Sequence, residues 1–192
     1  MTSPGRTIAG LWMLVCCGIA TGAEVSYTHV ELRRDDADIR REESSDSSAE
    51  ALALSATLQV SEHLFLLAEG KRTEEGGDSF TALVAGGGAF WSPTSGVDLY
   101  AMLAFSTLKD SHSKFGVGVR ARASQELEFD ARVGVDPMDT RNSAFMLSVE
   151  FGVRFYLTPA LALGLNHQNG VVGDDDATVT RLSIRYDFGS ER

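Results

Sequence analysis

The sequence predicts an all-β fold: a transmembrane, antiparallel, up-and-down β-barrel of about ten strands, with eight strands as the alternative. Segments of about ten residues alternate apolar with polar side chains, as tilted membrane strands do. Turn signals recur along the chain at a nearly constant spacing, which indicates one repeated supersecondary unit. An export signal at the start directs the chain out of the cytoplasm. Together these observations predict a barrel embedded in an outer membrane.

The first 23 residues have the three parts of a secretory signal peptide. Arg6 supplies the positive charge, Ile8–Ala20 is the apolar core, and Thr21-Gly22-Ala23 places small residues at the cleavage site. The apolar run is too short for a membrane-spanning helix. We therefore expect residues 1–23 to be removed and residues 24–192 to form a single β-barrel domain. A lipoprotein signal ending at Cys17 is a weaker alternative, because Cys16 stands where a small residue is needed.

Cysteine content and charge exclude some classes of protein. Both cysteines, Cys16 and Cys17, lie in the signal peptide, so the exported chain would contain no disulfide. The full chain has 17 basic and 27 acidic side chains and a net charge of −10. A negative charge of this size excludes nucleic acid as the expected partner. No stretch after Ala23 is long and apolar enough for a spanning helix, so membrane insertion would require a closed barrel.

A Ser or Thr marks each of four short turns, at Ser61, Ser92, Ser124 and Thr158. A spacing of 31 to 34 residues accommodates two strands, one short turn and one longer connection. Polar segments alternate with these turns, which predicts longer, acidic extracellular loops at 33–48, 73–79, 107–113, 136–143 and 168–176. The strands between them are expected at 24–33, 49–60, 64–72, 80–91, 97–106, 115–123, 127–135, 144–156, 161–167 and 178–188.

The charged residues of the predicted strands keep to one face. Eleven of them alternate with the apolar residues along their strands and therefore lie on the opposite face: Asp98, Arg120, Arg122, Glu128, Asp130, Arg132, Glu150, Arg154, Arg181, Arg185 and Asp187. The same face carries Gly116, Gly118, Gly134, Gly152 and Gly164, whose small size suits a crowded interior. We therefore expect these charges to line the lumen and the apolar rows to face lipid.

Alternation alone also permits the reverse, a soluble periplasmic barrel that binds a ligand inside. Unbroken apolar rows of membrane length and aromatic residues near strand ends favour the membrane barrel. Two strands are ambiguous. In 24–33 either of the two alternating sets of side chains could face lipid. In 80–91 the run Gly86-Gly87-Gly88 removes the contrast between an apolar and a polar face. If the first of these is not a true strand, an eight-stranded barrel becomes possible.

The export signal, the two-residue period, the turns, the acidic loops and the closing segment Ile184-Arg185-Tyr186-Asp187-Phe188 resemble the small gram-negative outer-membrane β-barrel family. The resemblance implies the fold, a location in the outer membrane of a gram-negative bacterium, and recognition by the barrel assembly machinery through Tyr186 and Phe188. One departure is that Gly189-Ser190-Glu191-Arg192 follow the closing aromatic residue, which in the family usually ends the chain.

Candidate catalytic and metal-binding groups are weak. His112 lies beside Asp110, Ser111 and Ser113, and His167 precedes Asp174–Asp176, but a catalytic triad depends on geometry that sequence neighbours do not provide. His29 and His63 look like strand and turn residues. Three acidic groups offer oxygen ligands without the spacing of a dedicated metal loop: Asp35-Asp36, Glu74-Glu75 with Asp78, and Asp174–Asp176. We therefore expect no enzyme activity, no cofactor and no dedicated metal site.

The expected function is a structural or surface-interaction role, with a narrow, charge-filled lumen and acidic extracellular loops. The expected partners are outer-membrane lipid and lipopolysaccharide, the assembly machinery, and divalent cations at the acidic loops. A narrow channel for ions or small solutes is one alternative, since wide pores need about 16–18 strands. A barrel-embedded lipid-modifying hydrolase or protease and a soluble periplasmic binding protein are the others.

Overall fold

The computed structural model describes residues 28–40, 47–94, 96–107, 113–137, 145–172 and 175–188. The predicted signal peptide, the start of the predicted first strand and the tail 189–192 lie outside these residues. Ten strands follow one another along the chain. They are β1 (Thr28–Arg40), β2 (Ser47–Gln59), β3 (Leu64–Glu75), β4 (Asp78–Thr94), β5 (Val97–Ser106), β6 (Ser113–Arg122), β7 (Leu127–Pro137), β8 (Phe145–Tyr156), β9 (Leu161–Val172) and β10 (Asp175–Phe188).

The ten strands form a closed antiparallel barrel in which each strand pairs with its neighbours in sequence and β1 pairs with β10. The closing ladder runs from Thr28 opposite Phe188 to Arg40 opposite Asp176. This confirms ten strands over the eight-stranded alternative. Closure satisfies the backbone groups of both terminal strands, which would otherwise be sheet edges. Within the described residues, no helix is long and apolar enough to cross a bilayer.

The strands are staggered around the barrel. A path that follows paired residues from strand to strand once around the barrel returns to β1 twelve residues beyond its starting point. The successive partners are Thr28, Leu58, Leu66, Gly87, Leu103, Phe115, Val135, Leu147, Val171, Asp176 and finally Arg40. A stagger of this kind requires the strands to tilt relative to the barrel axis, and strand number and stagger together set its width.

The four predicted short turns join strand pairs at the end where β1 begins and β10 ends, called the turn end below. The recurring Ser or Thr has a local role in three of them. Ser61, Ser124 and Thr158 each accept a hydrogen bond from a backbone N–H two or three residues later. Such side-chain caps favour tight turns. Ser92 instead donates to Asp98 at 2.7 Å, next to an irregularity in the β4–β5 ladder.

The strands are longer at the opposite end, the loop end, than the sequence indicated. The predicted loop at 73–79 is a two-residue turn at Gly76-Gly77, both with positive φ, which only glycine adopts easily. Most of the predicted loop at 168–176 belongs to β9 and β10, and β1 extends to Arg40. The expectation of long acidic loops is therefore wrong for these segments. The ladder continues beyond the apolar part of each strand because backbone pairing does not depend on side-chain polarity.

The outer surface carries a belt of apolar side chains. Phe151 and Trp91 are each 61% exposed, and leucine, valine and phenylalanine side chains project outward from the strands around the barrel. The ambiguous strands are resolved: Leu32 of β1 and Leu83 of β4 are exposed, whereas Ala82 and Val84 are buried. Charged residues on the outer face, including Arg34, Asp36, Glu50 and Arg72, lie near the loop end. The polar interior is the site that this fold creates.

Candidate functional site

Inward-facing glycines make room for the long side chains of the barrel interior. A methyl group on Gly118 would lie 2.5 Å from the Tyr100 ring, and one on Gly116 would lie 3.1 Å from Arg132 Cδ. These distances are shorter than ordinary contacts, so Tyr100 and Arg132 lie directly over glycine backbone. The predicted role of glycine beside long lumenal side chains therefore holds at both positions.

The lower cluster is centred on Glu128 of β7, near the turn end. Its carboxylate is 1% exposed and lies within ion-pair distance of four guanidinium groups: Arg154 at 2.6 Å, Arg120 at 3.2 Å, Arg122 at 3.5 Å and Arg185 at 3.9 Å. Tyr156 also donates a hydrogen bond to Glu128 at 3.1 Å. Asp187 neutralises Arg185 at 2.6 Å. Buried charges are tolerated when they are paired in this way.

The upper network begins at Arg132, nearer the loop end. This guanidinium bridges Asp136 at 2.7 Å and Glu150 at 2.9 Å. Lys114 approaches Asp136 at 3.3 Å, and Gln168 donates a hydrogen bond to the same carboxylate at 2.8 Å. These contacts join the inner faces of β6, β7, β8 and β9.

Arg181 of β10 extends the network along the wall to β1. It approaches Glu150 at 3.1 Å, bonds to Gln168 and lies 3.6 Å from Asp35 of β1. Arg33 then bridges Asp35 at 2.6 Å and Glu69 of β3 at 3.3 Å. An unbroken sequence of ion pairs therefore runs from β3 through β1, β10, β8 and β7 to Lys114 of β6. The path follows the inner wall around most of the barrel, because these strands succeed one another in the closed sheet.

The structure places all eleven predicted lumenal charges on the inner face. Those in the lower cluster are Arg120, Arg122, Glu128, Asp130, Arg154, Arg185 and Asp187, and those in the upper network are Arg132, Glu150 and Arg181. Asp98 stands apart near the turn end, where it accepts a hydrogen bond from Ser92. Arg122, at the end of β6, is the most exposed of the lower cluster, with a side-chain exposure of 34%.

Three interior residues were expected in loops, and that assignment is wrong. Asp35, Asp136 and Gln168 are buried inside the barrel and are central to the upper network. Each lies in a strand that continues past its apolar segment. The sequence carried a signal for two of them. Residues an even number apart in a strand face the same side, so Asp35 is expected to face the same side as Arg33, and Asp136 the same side as Arg132.

A cavity of about 200 Å³ lies between the lower cluster and the upper network, and residues from all ten strands line it. One wall is polar and charged. It includes Arg120, Asp130 and Arg154 from the lower cluster and Arg132 and Glu150 from the upper network. The opposite wall, formed largely by β3, β4 and β5, is mainly apolar and aromatic: Phe65, Leu67, Phe90, Tyr100 and Met102. The cavity therefore has a charged wall on one side and a mainly apolar, aromatic wall on the other.

The candidate catalytic and metal groups are not assembled into a site by the described residues. His167 lies on the outer face, where its ring nitrogen is 3.2 Å from the Thr180 hydroxyl. Asp35 points inward and Asp36 outward, since they are adjacent in β1. Among the described residues, no group of three or more His, Cys, Asp or Glu side chains is arranged to hold a metal ion. Asp110, Ser111, His112 and Asp174 lie outside these residues.

The predicted assembly residues Tyr186 and Phe188 both lie on the outer face at the end of β10. Their rings meet edge to face, with centroids 4.8 Å apart. Both residues pair with the start of β1 across the closing ladder. Their recognition by the assembly machinery stays a prediction.

Comparison with known proteins bears on the fold. No protein-family model and no curated protein matches the chain. The translocator domain of the autotransporter NalP from Neisseria meningitidis aligns with 96% of this chain and 98% of that one, at a TM-score of 0.50 and 11% identity.

Two other similar structures cover less of the chain. The attachment invasion locus protein Ail of Yersinia pestis aligns with 85% of this chain and 99% of that one, at a TM-score of 0.46 and 10% identity. The KdgM porin in complex with oligogalacturonate aligns with 83% of this chain and 99% of that one, at a TM-score of 0.47 and 8% identity. At such low identity, the likeness to the NalP domain shows the shared fold alone: a closed antiparallel barrel of the outer-membrane type.

Proposed function

We propose that this protein is an integral β-barrel of a gram-negative outer membrane. The apolar outer belt supports this location, because its side chains are exposed to water in an isolated barrel and would be buried by lipid. The charged interior supports the same orientation. An up-and-down barrel inserted this way has every backbone group of its ladders paired.

The proposed role is a structural or surface-interaction role with a closed lumen. The observation that carries this proposal is the upper network, whose ion-paired side chains project into the lumen around most of the wall, from Glu69 to Lys114. An apolar cluster of Met146, Ala177 and Val179 packs at the loop end beyond it. A solute moving through the barrel would have to separate buried ion pairs, which is strongly unfavourable. The proposed role includes no catalytic step.

The orientation can be tested with two adjacent cysteines. Val149 is 41% exposed and Glu150 is 7% exposed, although they are neighbours in β8. In reconstituted vesicles, Val149→Cys should react with a lipid-soluble maleimide, and Glu150→Cys should not. If Glu150→Cys reacts with the lipid-soluble reagent and Val149→Cys does not, the proposed orientation is wrong.

A narrow conductance is the second candidate function, and the central cavity favours it because all ten strands contribute to its wall. Planar-bilayer recordings distinguish the two. The closed-lumen proposal expects no stable single-channel steps from the inserted wild type. It also expects steps to appear when the upper network is opened by Arg132→Ala with Arg181→Ala. Steady conductance of the wild type would support the channel instead.

The proposed partners are lipopolysaccharide, with divalent cations, and the assembly machinery. Charged side chains on the outer face near the loop end support contact with lipid headgroups. Arg34 bridges Asp36 at 3.3 Å and Glu50 at 3.0 Å in this region, and all three are more than two-fifths exposed. Carboxylates at a headgroup boundary can share divalent cations with phosphate. Binding to lipopolysaccharide vesicles with and without Mg²⁺ tests this contact.

A further inference from the structure

We propose that a polar notch in the outer surface of the barrel binds the sugar-phosphate headgroup of one lipopolysaccharide molecule. The notch is formed by outward side chains of β9, β10 and β1, at a level where the strands on both sides still carry apolar residues. Its members are Arg34, Asp36, His167, Asn169, Thr178 and Thr180. This site rests on the proposed outer-membrane location, and it adds a defined position and chemistry for one lipid.

The apolar belt continues past the notch on β8. Phe151 is 61% exposed and Val149 is 41% exposed, and Leu147 beyond them is 58% exposed. Across the β8–β9 ladder, Phe151 lies opposite His167 and Val149 lies opposite Asn169, and both of these polar side chains are exposed. The outer surface therefore changes from apolar to polar between two directly paired strands.

The other side of the notch has a similar boundary. Arg34 of β1 lies opposite Leu52 of β2, which is 57% exposed. Leu52 in turn lies opposite Arg72 of β3. An exposed leucine therefore separates the notch from the next outward arginine in the same row.

Within the notch, polar side chains face one another across the β9–β10 ladder. Thr180 lies opposite His167, and its hydroxyl is 3.2 Å from a ring nitrogen of that histidine. Thr178 lies opposite Asn169 and donates a hydrogen bond to its side-chain oxygen at 3.3 Å. Polar groups on the lipid side of an inserted barrel are costly to place against acyl chains. A polar part of the surrounding lipid is therefore the favoured occupant.

The order of side chains along these strands matches the order of groups in a lipopolysaccharide molecule. Leu182 and Leu165 lie in the same row as Arg34 and are 56% and 47% exposed, so they can contact acyl chains. The Arg34 guanidinium suits a phosphate at the boundary. Towards the loop end, Asp36, Thr178 and the amide of Asn169 can exchange hydrogen bonds with sugar hydroxyls. A headgroup without a sugar would leave these groups unused.

Arg34 is accessible to such a phosphate. Its side chain is 58% exposed, and it bridges Asp36 at 3.3 Å and Glu50 at 3.0 Å. Ion pairs between exposed side chains are weak, so a phosphate can share the guanidinium with these carboxylates or replace them. Arg72 provides a comparison, because it is 63% exposed and pairs with Glu74 at 3.4 Å but lies outside the notch.

Native mass spectrometry of refolded wild-type protein in detergent tests the proposal with three lipids: diphosphoryl lipid A, phosphatidylglycerol and phosphatidylethanolamine. We expect one lipid A per barrel, bound at least about tenfold more tightly than either phospholipid, as added charge-assisted hydrogen bonds provide. Equal binding of the three lipids, binding of none, or a dimer of the barrel in place of a lipid complex would overturn the proposal.

The membrane role has its own test in the labelling of cysteines at positions 149 and 150. Correct labelling without lipid A selectivity would refute the notch as a headgroup site and leave the membrane role standing. Reversed labelling would refute the membrane role itself.

Matched variants locate the lipid. Arg34→Gln should weaken lipid A binding about tenfold, whereas Arg72→Gln, in the same row, should change it less than about twofold. Asn169→Leu with Thr180→Val makes the notch apolar, and it should weaken lipid A binding about tenfold while phosphatidylglycerol binding stays within about twofold. If the two arginine variants behave alike, general surface charge holds the lipid and the notch does not. The retained heat-dependent shift in gel mobility establishes that each variant is folded.

Discussion

Glu128 is the residue on which the lower cluster depends. Four arginines from β6, β8 and β10 converge on its carboxylate, and Arg154 at 2.6 Å and Arg120 at 3.2 Å lie closest to it.

The substitution Glu128→Gln should lower the free energy of unfolding by about 3–5 kcal/mol, because it removes the buried negative charge that four arginines share. Urea unfolding of the protein in lipid vesicles, followed by tryptophan fluorescence, measures the change. The control is Glu50→Gln, whose partner Arg34 is exposed on the outer face, and its effect should stay below about 1 kcal/mol. Equal effects of the two substitutions would contradict the structural role of the lower cluster.

Gly118 and Gly70 form a matched pair for the packing of the interior. A Cβ on Gly118 would lie 2.5 Å from the Tyr100 ring and 2.7 Å from the Ala131 carbonyl oxygen, whereas one on Gly70 meets only Leu83 at 3.7 Å. Gly118→Ala should therefore destabilise the barrel by about 1–3 kcal/mol through overpacking, and Gly70→Ala should be neutral or slightly stabilising. The same unfolding measurement applies. Tolerance of Gly118→Ala would show that Tyr100 does not lie against this strand.

At the scale of elements, β10 closes the barrel. It pairs with β1 over the whole of that strand and carries Arg181 and Arg185, which belong to the two charge networks. Deletion of residues 186–192 removes three residues from the closing ladder and the partner of Arg185. It also exposes an edge at the start of β1.

This truncation should leave unassembled protein in the periplasm, since an open edge in lipid cannot satisfy its backbone groups. Cell fractionation with a heat-dependent mobility assay measures folded protein in the outer membrane. The control removes residues 189–192 only and should be tolerated, because Phe188 is retained. Normal membrane levels of the longer truncation would rule out an essential role for the end of β10 in assembly.

At the scale of the whole molecule, charge is divided into two populations. Interior charges are paired across strands, and outer-face charges gather near the loop end, where Asp36, Glu50 and Asp176 are exposed. The first population holds the barrel together. The second faces the surroundings and is free of packing constraints.

Neutralising the outer population with Asp36→Asn, Glu50→Gln and Asp176→Asn should leave the unfolding free energy within about 1 kcal/mol and weaken Mg²⁺-dependent binding to lipopolysaccharide vesicles. Neutralising two interior arginines with Arg120→Gln and Arg122→Gln should instead lower stability without changing vesicle binding. Co-flotation and urea unfolding give the two readouts. If the outer triple variant unfolds and the interior double variant does not, the two populations have been assigned the wrong way round.

The alternation of side chains determined a large part of this molecule by itself. A strand turns successive residues to opposite faces, so parity alone placed the eleven interior charges beside the inward glycines and the apolar rows outside. The turn spacing gave ten strands, and the Ser or Thr at three turns caps them as local chemistry requires. These features are local, and local sequence is sufficient to specify them.

The tertiary structure decided what depends on register. Which arginine meets which carboxylate follows from the pairing of strands far apart in sequence, so the position of Arg181 beside both Glu150 and Asp35 could not be read along the chain. Asp35, Asp136 and Gln168 looked like loop residues because polar side chains also occur in loops, and only the continuing ladder places them inside. The cavity exists because ten staggered strands close into a barrel whose width depends on strand number and stagger together. No single segment of the sequence specifies that width.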